Sequence, residues 1–331
     1  MAVEACAATL DARAYWTLRP GVGSIAEVSL RPPGPGEALV RTLHTGISRG
    51  SETLVHRGAV PPEIAEAMRA PFQIGDLPGP VVYGYLSVGV VEQGPAEWVG
   101  RRVFALVPHQ DRYVVPVTAL APVPDAVPSP RAVLAGTVET ALNAVWDAGP
   151  RWGDRVAVVG AGMVGACVAA LLRDFPLQQL TLVDHDPERA DLAAALGVSL
   201  VGPDELGDDL DLVVHCSATE DGLRAGLAAL GVEGTLVEVS WYGAQDVRVP
   251  LGGAFHSRRL SIRGSQVGSV APARRARRST ADRLRLALEE LADPVYDTLL
   301  TGRCAFEDLP QTIVAMARGE ITGLCHVVDY P

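Results

Sequence analysis

The rhythm of apolar positions along this chain changes between residues 130 and 150. Before that point, short apolar stretches alternate with Gly- and Pro-rich turns, as at Ala38–Leu43, Val81–Glu92, Val103–Leu106 and Arg112–Pro116. Runs of this length between turn signals predict the strands of a β-rich domain. Only Pro62–Met68 reads as helical there. From about 150, strand-like runs at Arg155–Val159, Gln179–Val183, Leu212–Cys216, Thr235–Val239 and Leu260–Ile262 alternate with helical stretches. Val164, Val168, Leu171 and Phe175 share one helical face, which Pro176 ends. Pro187–Leu196 predicts a second helix, with Pro at its start and Gly197 just past its end. Strand–helix alternation implies a parallel sheet with right-handed crossovers. Further helices are expected over Thr280–Ala292 and Leu309–Arg318, and a last strand over Leu324–Val328.

The strand-like run that ends at Val159 leads directly into Gly160-Ala161-Gly162-Met163-Val164-Gly165, which opens the first helix. Asp184 is the first acidic residue at the end of the next apolar run. This is a dinucleotide-binding fingerprint in its proper context. Gly160 permits the tight turn, Gly162 lets backbone approach a pyrophosphate, and Gly165 lets helix and strand pack closely. The helix N-terminus offers free N–H groups to the phosphates.

Composition narrows the possibilities. The 331 residues suit two domains, and 48% hydrophobic with 20% charged residues suits a globular protein. No stretch approaches the roughly 18 apolar residues of a membrane span, and the N-terminus lacks a signal-peptide layout. A cytoplasmic protein with no membrane partner is expected. Cys6, Cys167, Cys216, Cys304 and Cys325 are scattered without metal-ligand spacing, which reads as reduced thiols. The net charge of −11 argues against nucleic acid as a partner. Arg274-Arg275-Ala276-Arg277-Arg278 is the local exception, read as a solvated loop or helix start, or else as a contact for a phosphate-bearing substrate or a subunit. All 28 basic residues are arginine, so Schiff-base chemistry is excluded.

Several motifs in order resemble the medium-chain dehydrogenase/reductase superfamily, the zinc alcohol dehydrogenase relatives. They are Thr45-Gly46-Ile47-Ser48-Arg49, Gly84 with Gly89-Val90-Val91, Gly100-Arg101-Arg102-Val103, Tyr113-Val114-Val115-Pro116, and the glycine segment. Gly234-Thr235-Leu236-Val237 and Phe306-Glu307-Asp308-Leu309-Pro310 follow. The resemblance implies an α/β protein: a GroES-like domain over 1–135, a Rossmann doubly wound sheet over 136–270, and a helix and return to the first domain over 271–331. It also implies a homodimer. The superfamily's catalytic zinc ligands fall at Ser48, at Tyr85 and near Ala135 or Gly136, which cannot supply the donors zinc needs. The four-cysteine lobe of its structural zinc is missing, because Val103 to Pro116 runs straight through its place. A metal-free member is expected.

The proton chemistry must then come from side chains. By alignment, Ser48, Tyr85 and the stretch Ala135–Glu139 surround the emptied metal position, and His109 follows a strand whose counterpart lines the substrate cleft. Tyr85 or His109 is expected as proton donor and Ser48 as the group orienting the substrate oxygen, with Glu52, Glu139 and Thr140 as relay candidates. Tyr85 as filler of the zinc vacancy and His109 as a loop residue are the bland alternatives. The resemblance places Arg49 against the cofactor pyrophosphate and Ser240 and Trp241 at the nicotinamide, with Ser217 also at the cofactor. Trp241 and Tyr242 would wall a substrate pocket, or simply pack. Asp184 should bind the adenosine ribose hydroxyls and repel a 2′-phosphate, favouring NAD over NADP. The expected activity joins a small-molecule secondary alcohol and its ketone or aldehyde. A quinone- or enoyl-reductase-type activity and a non-catalytic dinucleotide-binding role are the alternatives.

Overall fold

The computed structural model describes residues 9–331. In chain order the first elements are β1 (Leu10–Arg19), β2 (Val22–Leu30), β3 (Glu37–Ile47), α1 (Arg49–His56), β4 (Ile74–Gly75), β5 (Val81–Val82), β6 (Ser87–Gln93), β7 (Arg102–Ala105), β8 (Arg112–Pro116), β9 (Ala121–Pro122) and α2 (Ser129–Ala132). Then come α3 (Ala135–Ala148), β10 (Arg155–Val159), α4 (Met163–Leu172), β11 (Gln179–Val183), α5 (Ala190–Leu196), β12 (Ser199–Val201), β13 (Leu210–His215), α6 (Glu220–Ala229), β14 (Leu230–Glu238), α7 (Ala254–Ser257), β15 (Ser261–Gly264) and α8 (Thr280–Glu290). The chain closes with β16 (Leu300–Ala305), α9 (Leu309–Arg318) and β17 (Cys325–Asp329). Two units divide these elements: Met1–Leu134 with Leu300–Pro331, and Ala135–Leu299.

The first unit is the GroES-like part. One sheet runs β2-β1-β5-β4; the other runs β16-β17-β3-β6-β7-β9, with β8 also on β3. The long hairpin of β1 and β2 stays in register from Leu10↔Leu30 to Thr17↔Gly23. Its charged residues, Asp11 and Arg13, interrupt the apolar pattern and hide the strand from a reading of short apolar runs. The returning segment completes the core. Phe306, Leu309, Ile313, Met316 and Val328 pack with Tyr15 and Ile47, while β17 pairs antiparallel with β3.

The second unit is the Rossmann part, a parallel sheet in the order β12-β11-β10-β13-β14-β15. The chain winds outward both ways from the β10–β13 pair, the doubly wound arrangement. Helices cover both faces of such a sheet, so its strands read as unbroken apolar runs.

Several expectations need correcting. Helix α3 was not foreseen, because its Ala, Gly and Thr residues blur the apolar stripe; it is buried along most of its length. Helix α4 ends at Leu172, leaving Phe175 exposed beyond it. Pro62–Met68 contributes only a short 3₁₀ turn at Pro62–Ile64, and the helix of that region is α1. Helix α8 belongs to the second unit, and the return to the first begins at Leu300. The run Arg274–Arg278 is an exposed turn, with the Arg274 guanidinium 5.9 Å from the Trp146 ring centroid. Cys6 lies outside the described residues, and Cys167, Cys216, Cys304 and Cys325 form no disulfide with one another. Among the described residues no helix is long and apolar enough to cross a membrane.

Candidate active site

In the first unit, β3 ends at Ile47 and the chain turns at Ser48 into α1. Glu52, one helical turn on, reaches back: its Oε1 accepts from the Ser48 backbone N–H at 2.7 Å. Its Oε2 lies 2.8 Å from His109 Nε2, and His109 Nδ1 lies 2.6 Å from Thr45 Oγ1. Tyr330 Oη is 3.2 Å from the same threonine oxygen. His109 is 1% exposed and Glu52 5%. His109 is therefore no surface residue, and both of its ring nitrogens are engaged. Gly84 makes room for it, since a Cβ there would stand 2.9 Å from the imidazole.

Tyr85 forms a separate hydroxyl cluster, donating to Ser48 Oγ at 2.7 Å and 3.0 Å from Ser51 Oγ. Burial raises the Tyr85 phenol above its ordinary range; hydrogen bonding with Ser48 and Ser51 works against that, and the nearby Glu52 adds to it. The phenol is thus a proton donor at neutral pH. The two clusters meet at Ser48, but through its backbone N–H, which relays no proton. Glu52 and His109 hold the Ser48 backbone; Tyr85 and Ser48 present the hydroxyls. Ser51 and Tyr330 escaped the sequence reading because nothing local marks them, and Thr45 stood in a motif there without a role of its own.

This donor set does not fit zinc. A catalytic zinc takes about three ligands from thiolate, imidazole and carboxylate. Ser48 and Tyr85 are bonded to each other, as are His109 and Glu52. Among the described residues no group of three or more His, Cys, Asp or Glu is arranged to hold a metal ion.

In the second unit the three glycines occupy three different environments. Gly160 has φ 102°, and a Cβ there would stand 2.7 Å from the Ser217 nitrogen. At Gly165 a Cβ would stand 1.9 Å from the Gly160 carbonyl oxygen. At Gly162 it would meet nothing within 4 Å. So two glycines close the fold and the third leaves space. No side chain caps α4, which leaves the N–H groups around Met163 and Val164 free for an anion. Asp184 Oδ2 accepts from the Ala161 N–H at 2.7 Å, tying the acid at the end of β11 to the glycine turn. Ser217 and Ser240 follow β13 and β14, and the buried Trp241 Nε1 has no hydrogen-bond partner among the described residues. The space at Gly162, the uncapped helix and this orphan donor fit a dinucleotide.

Three further candidates have specific surroundings. Glu139 pairs with Arg283 at 3.1 Å in the interior of the second unit, both nearly inaccessible. Arg283 also bonds Asn143 and the Val267 carbonyl. A carboxylate committed in this way is a structural partner rather than a relay. Thr140 donates to the Gly136 carbonyl at 2.9 Å within α3. Arg49, the first residue of α1, makes a 3.5 Å contact to the Gly323 carbonyl, and no carboxylate among the described residues forms an ion pair with it. Sequence reasoning missed His215 and Glu238, whose contact is described below; the available signal was an ionisable residue closing each of two apolar strands.

No family model matches the chain. Over 282 residues it is 27% identical to the probable D-xylulose reductase A of Arthroderma otae, spanning 69% of this chain and 75% of that protein. Over 178 residues it is 25% identical to (R,R)-butanediol dehydrogenase of Saccharomyces cerevisiae, spanning 50% of this chain but only 43% of the yeast protein. The solved structure of L-idonate 5-dehydrogenase from Escherichia coli matches with a TM-score of 0.79 at 16% identity, covering 97% of this chain and 99% of that one. The GroES-like and Rossmann α/β fold is common to both.

Proposed function

We propose that the chain is a zinc-independent, NAD(H)-dependent oxidoreductase that interconverts a secondary alcohol of moderate size and its ketone. The glycine geometry carries this reading: Gly160 and Gly165 close the turn while Gly162 leaves room for a pyrophosphate. Relatives named for butanediol and xylulose make diols and polyols the first substrates to test. Asp184 favours NAD by receiving ribose hydroxyls and repelling a 2′-phosphate. Arg49 is kept as the pyrophosphate's guanidinium partner.

When bound, the nicotinamide supplies the hydride chemistry. The chain's own residues handle the proton. In ketone reduction the protonated Tyr85 phenol donates to the developing alkoxide, and the Ser48 hydroxyl orients the substrate oxygen. Glu52 and His109 fix the Ser48 backbone. Among the described residues β15 pairs only with β14, and this edge supports the expectation of a homodimer.

The test is turnover of secondary alcohols and polyols with NAD by chelator-treated protein, alongside elemental analysis. Activity that survives at far below one equivalent of zinc supports the proposal. Stoichiometric zinc whose removal abolishes turnover overturns its metal-free part. Turnover of enones but not alcohols replaces the reaction class, and tighter binding of NADPH than NADH reverses the cofactor choice.

A further inference from the structure

The carboxyl ends of β13 and β14 carry a second acid–base cluster that the proton chemistry above does not use. His215 closes β13, Glu238 closes β14, and the two are direct partners in the sheet register. His215 Nδ1 lies 2.7 Å from Glu238 Oε2, and the imidazole is fully buried. Tyr242 Oη donates to the same oxygen at 3.1 Å, and the Ser240 N–H donates to Oε1 at 2.8 Å. On its other side, His215 Nε2 lies 2.7 Å from Ser217 Oγ, which is 2.8 Å from Thr219 Oγ1.

His215 Nδ1, the Ser240 N–H and the Tyr242 O–H converge on Glu238, a set of donors that favours its carboxylate form. Burial pushes the Glu238 carboxyl up, but His215 and Ser240 outweigh it and hold the group below its ordinary range. The charge is felt nearby: burial, and then Glu238, raise both the Cys216 thiol and the Tyr242 phenol. Among the described residues no arginine forms an ion pair with Glu238.

The position of this pair suggests a use. Ligands of doubly wound sheets bind outside the carboxyl ends of the strands, at the switch point between neighbours that lead in opposite directions. Here that point is the β10–β13 pair. Ser217, bonded to His215, abuts the Gly160 turn, and the orphan Trp241 Nε1 lies three residues after Glu238.

We infer that the Glu238 carboxylate is an electrostatic selector for the oxidation state of the cofactor. A fixed negative charge at this end of the sheet favours the cationic ring of NAD+ over the neutral ring of NADH. Loading of the oxidised form and release of the reduced form follow, which favours the alcohol-oxidising direction of the proposed interconversion. His215 is a positioning residue that holds the carboxylate. The inference rests on the nicotinamide reading proposed above.

The experiment measures dissociation constants of NAD+ and NADH by calorimetry on the full chain, with melting curves as a check on folding. Glu238→Gln should raise the ratio of the NAD+ constant to the NADH constant about 10-fold, the scale of one nearby charge in a partly buried site. Glu238→Asp keeps the charge and should hold the ratio near its wild-type value. His215→Asn should lower the melting temperature without moving the ratio toward NADH. An unchanged ratio in Glu238→Gln, or equal losses of both affinities, overturns the inference. Should that variant fail to fold, the wild type decides: binding NADH more than about 10-fold tighter than NAD+ overturns it as well. Wild-type protein that binds neither form defeats the nicotinamide reading itself, a different result from binding without selection.

Discussion

The Tyr85 phenol donates a 2.7 Å hydrogen bond to the Ser48 hydroxyl at the turn where β3 passes into α1. If this pair handles the proton, Tyr85→Phe should lower turnover by roughly 10²–10⁴-fold while leaving cofactor affinity intact. Steady-state kinetics beside an NADH titration check this. Wild-type turnover in Tyr85→Phe removes the phenol from the mechanism.

Gly162 and Gly165 should respond differently to alanine. A methyl at Gly165 collides with the Gly160 carbonyl at 1.9 Å, so Gly165→Ala should cost about 1–3 kcal/mol or more of stability. A methyl at Gly162 meets only open space, so Gly162→Ala should melt like the wild type yet lose dinucleotide binding. Denaturation and cofactor titration on the two variants separate the effects.

Asp184 predicts cofactor choice. The wild type should bind NADH more tightly than NADPH, and Asp184→Ser should narrow that gap by removing the negative charge that opposes a 2′-phosphate. Part of the loss in NADH affinity will come from the glycine turn, because the same carboxylate accepts from the Ala161 N–H. Competitive titration with both cofactors measures the change.

Arg283 and Glu139 form a buried pair at 3.1 Å. Arg283→Met leaves an uncompensated carboxylate inside the second unit and should cost about 3–5 kcal/mol. Combining it with Glu139→Gln should recover much of the loss. Urea denaturation of both single variants and the double variant tests this; additive losses would deny the coupling.

Stability should fall as the medium turns mildly acidic. Burial lowers His44, His56 and His326 from their ordinary value of 6.5; beside them, Arg57 adds to the effect at His56, Arg49 at His326, and Asp329 opposes it at His44. An unfolded chain therefore binds more protons at these rings than the folded one. The stability they allow is complete above about 6.5 and is lost as pH falls through that value toward the lowered folded ones. Melting temperatures between about pH 8 and about pH 5 should show the slope, and replacing the three histidines with glutamine should flatten it.

What the sequence made legible was local. The run Arg155–Val159, the glycine turn and Asp184 lie close together along the chain, each with its own pattern, and β10 and β11 span the expected residues. Gly197 and Gly319 end their helices in left-handed conformations, as the helix-stop signals require. What escaped was made by distant pairing. Glu52 meets His109 across 57 positions and Arg283 meets Glu139 across 144, so no window of sequence contains either pair. Helix α3 escaped for a different reason: small residues on every side leave no contrast between a buried and an exposed face.

The hydrogen bond from His44 to Asp329 joins residues 285 positions apart, and β3 receives β17 along the same line. A ribosome delivers β3 early and must then make the whole of 135–299 before β17 emerges. During that interval the first unit has an open strand edge and lacks Phe306, Leu309 and Ile313 from its core. The first unit can therefore be completed only after the second has been made, and over that interval the β3 edge that receives β17 is open to pairing with another chain.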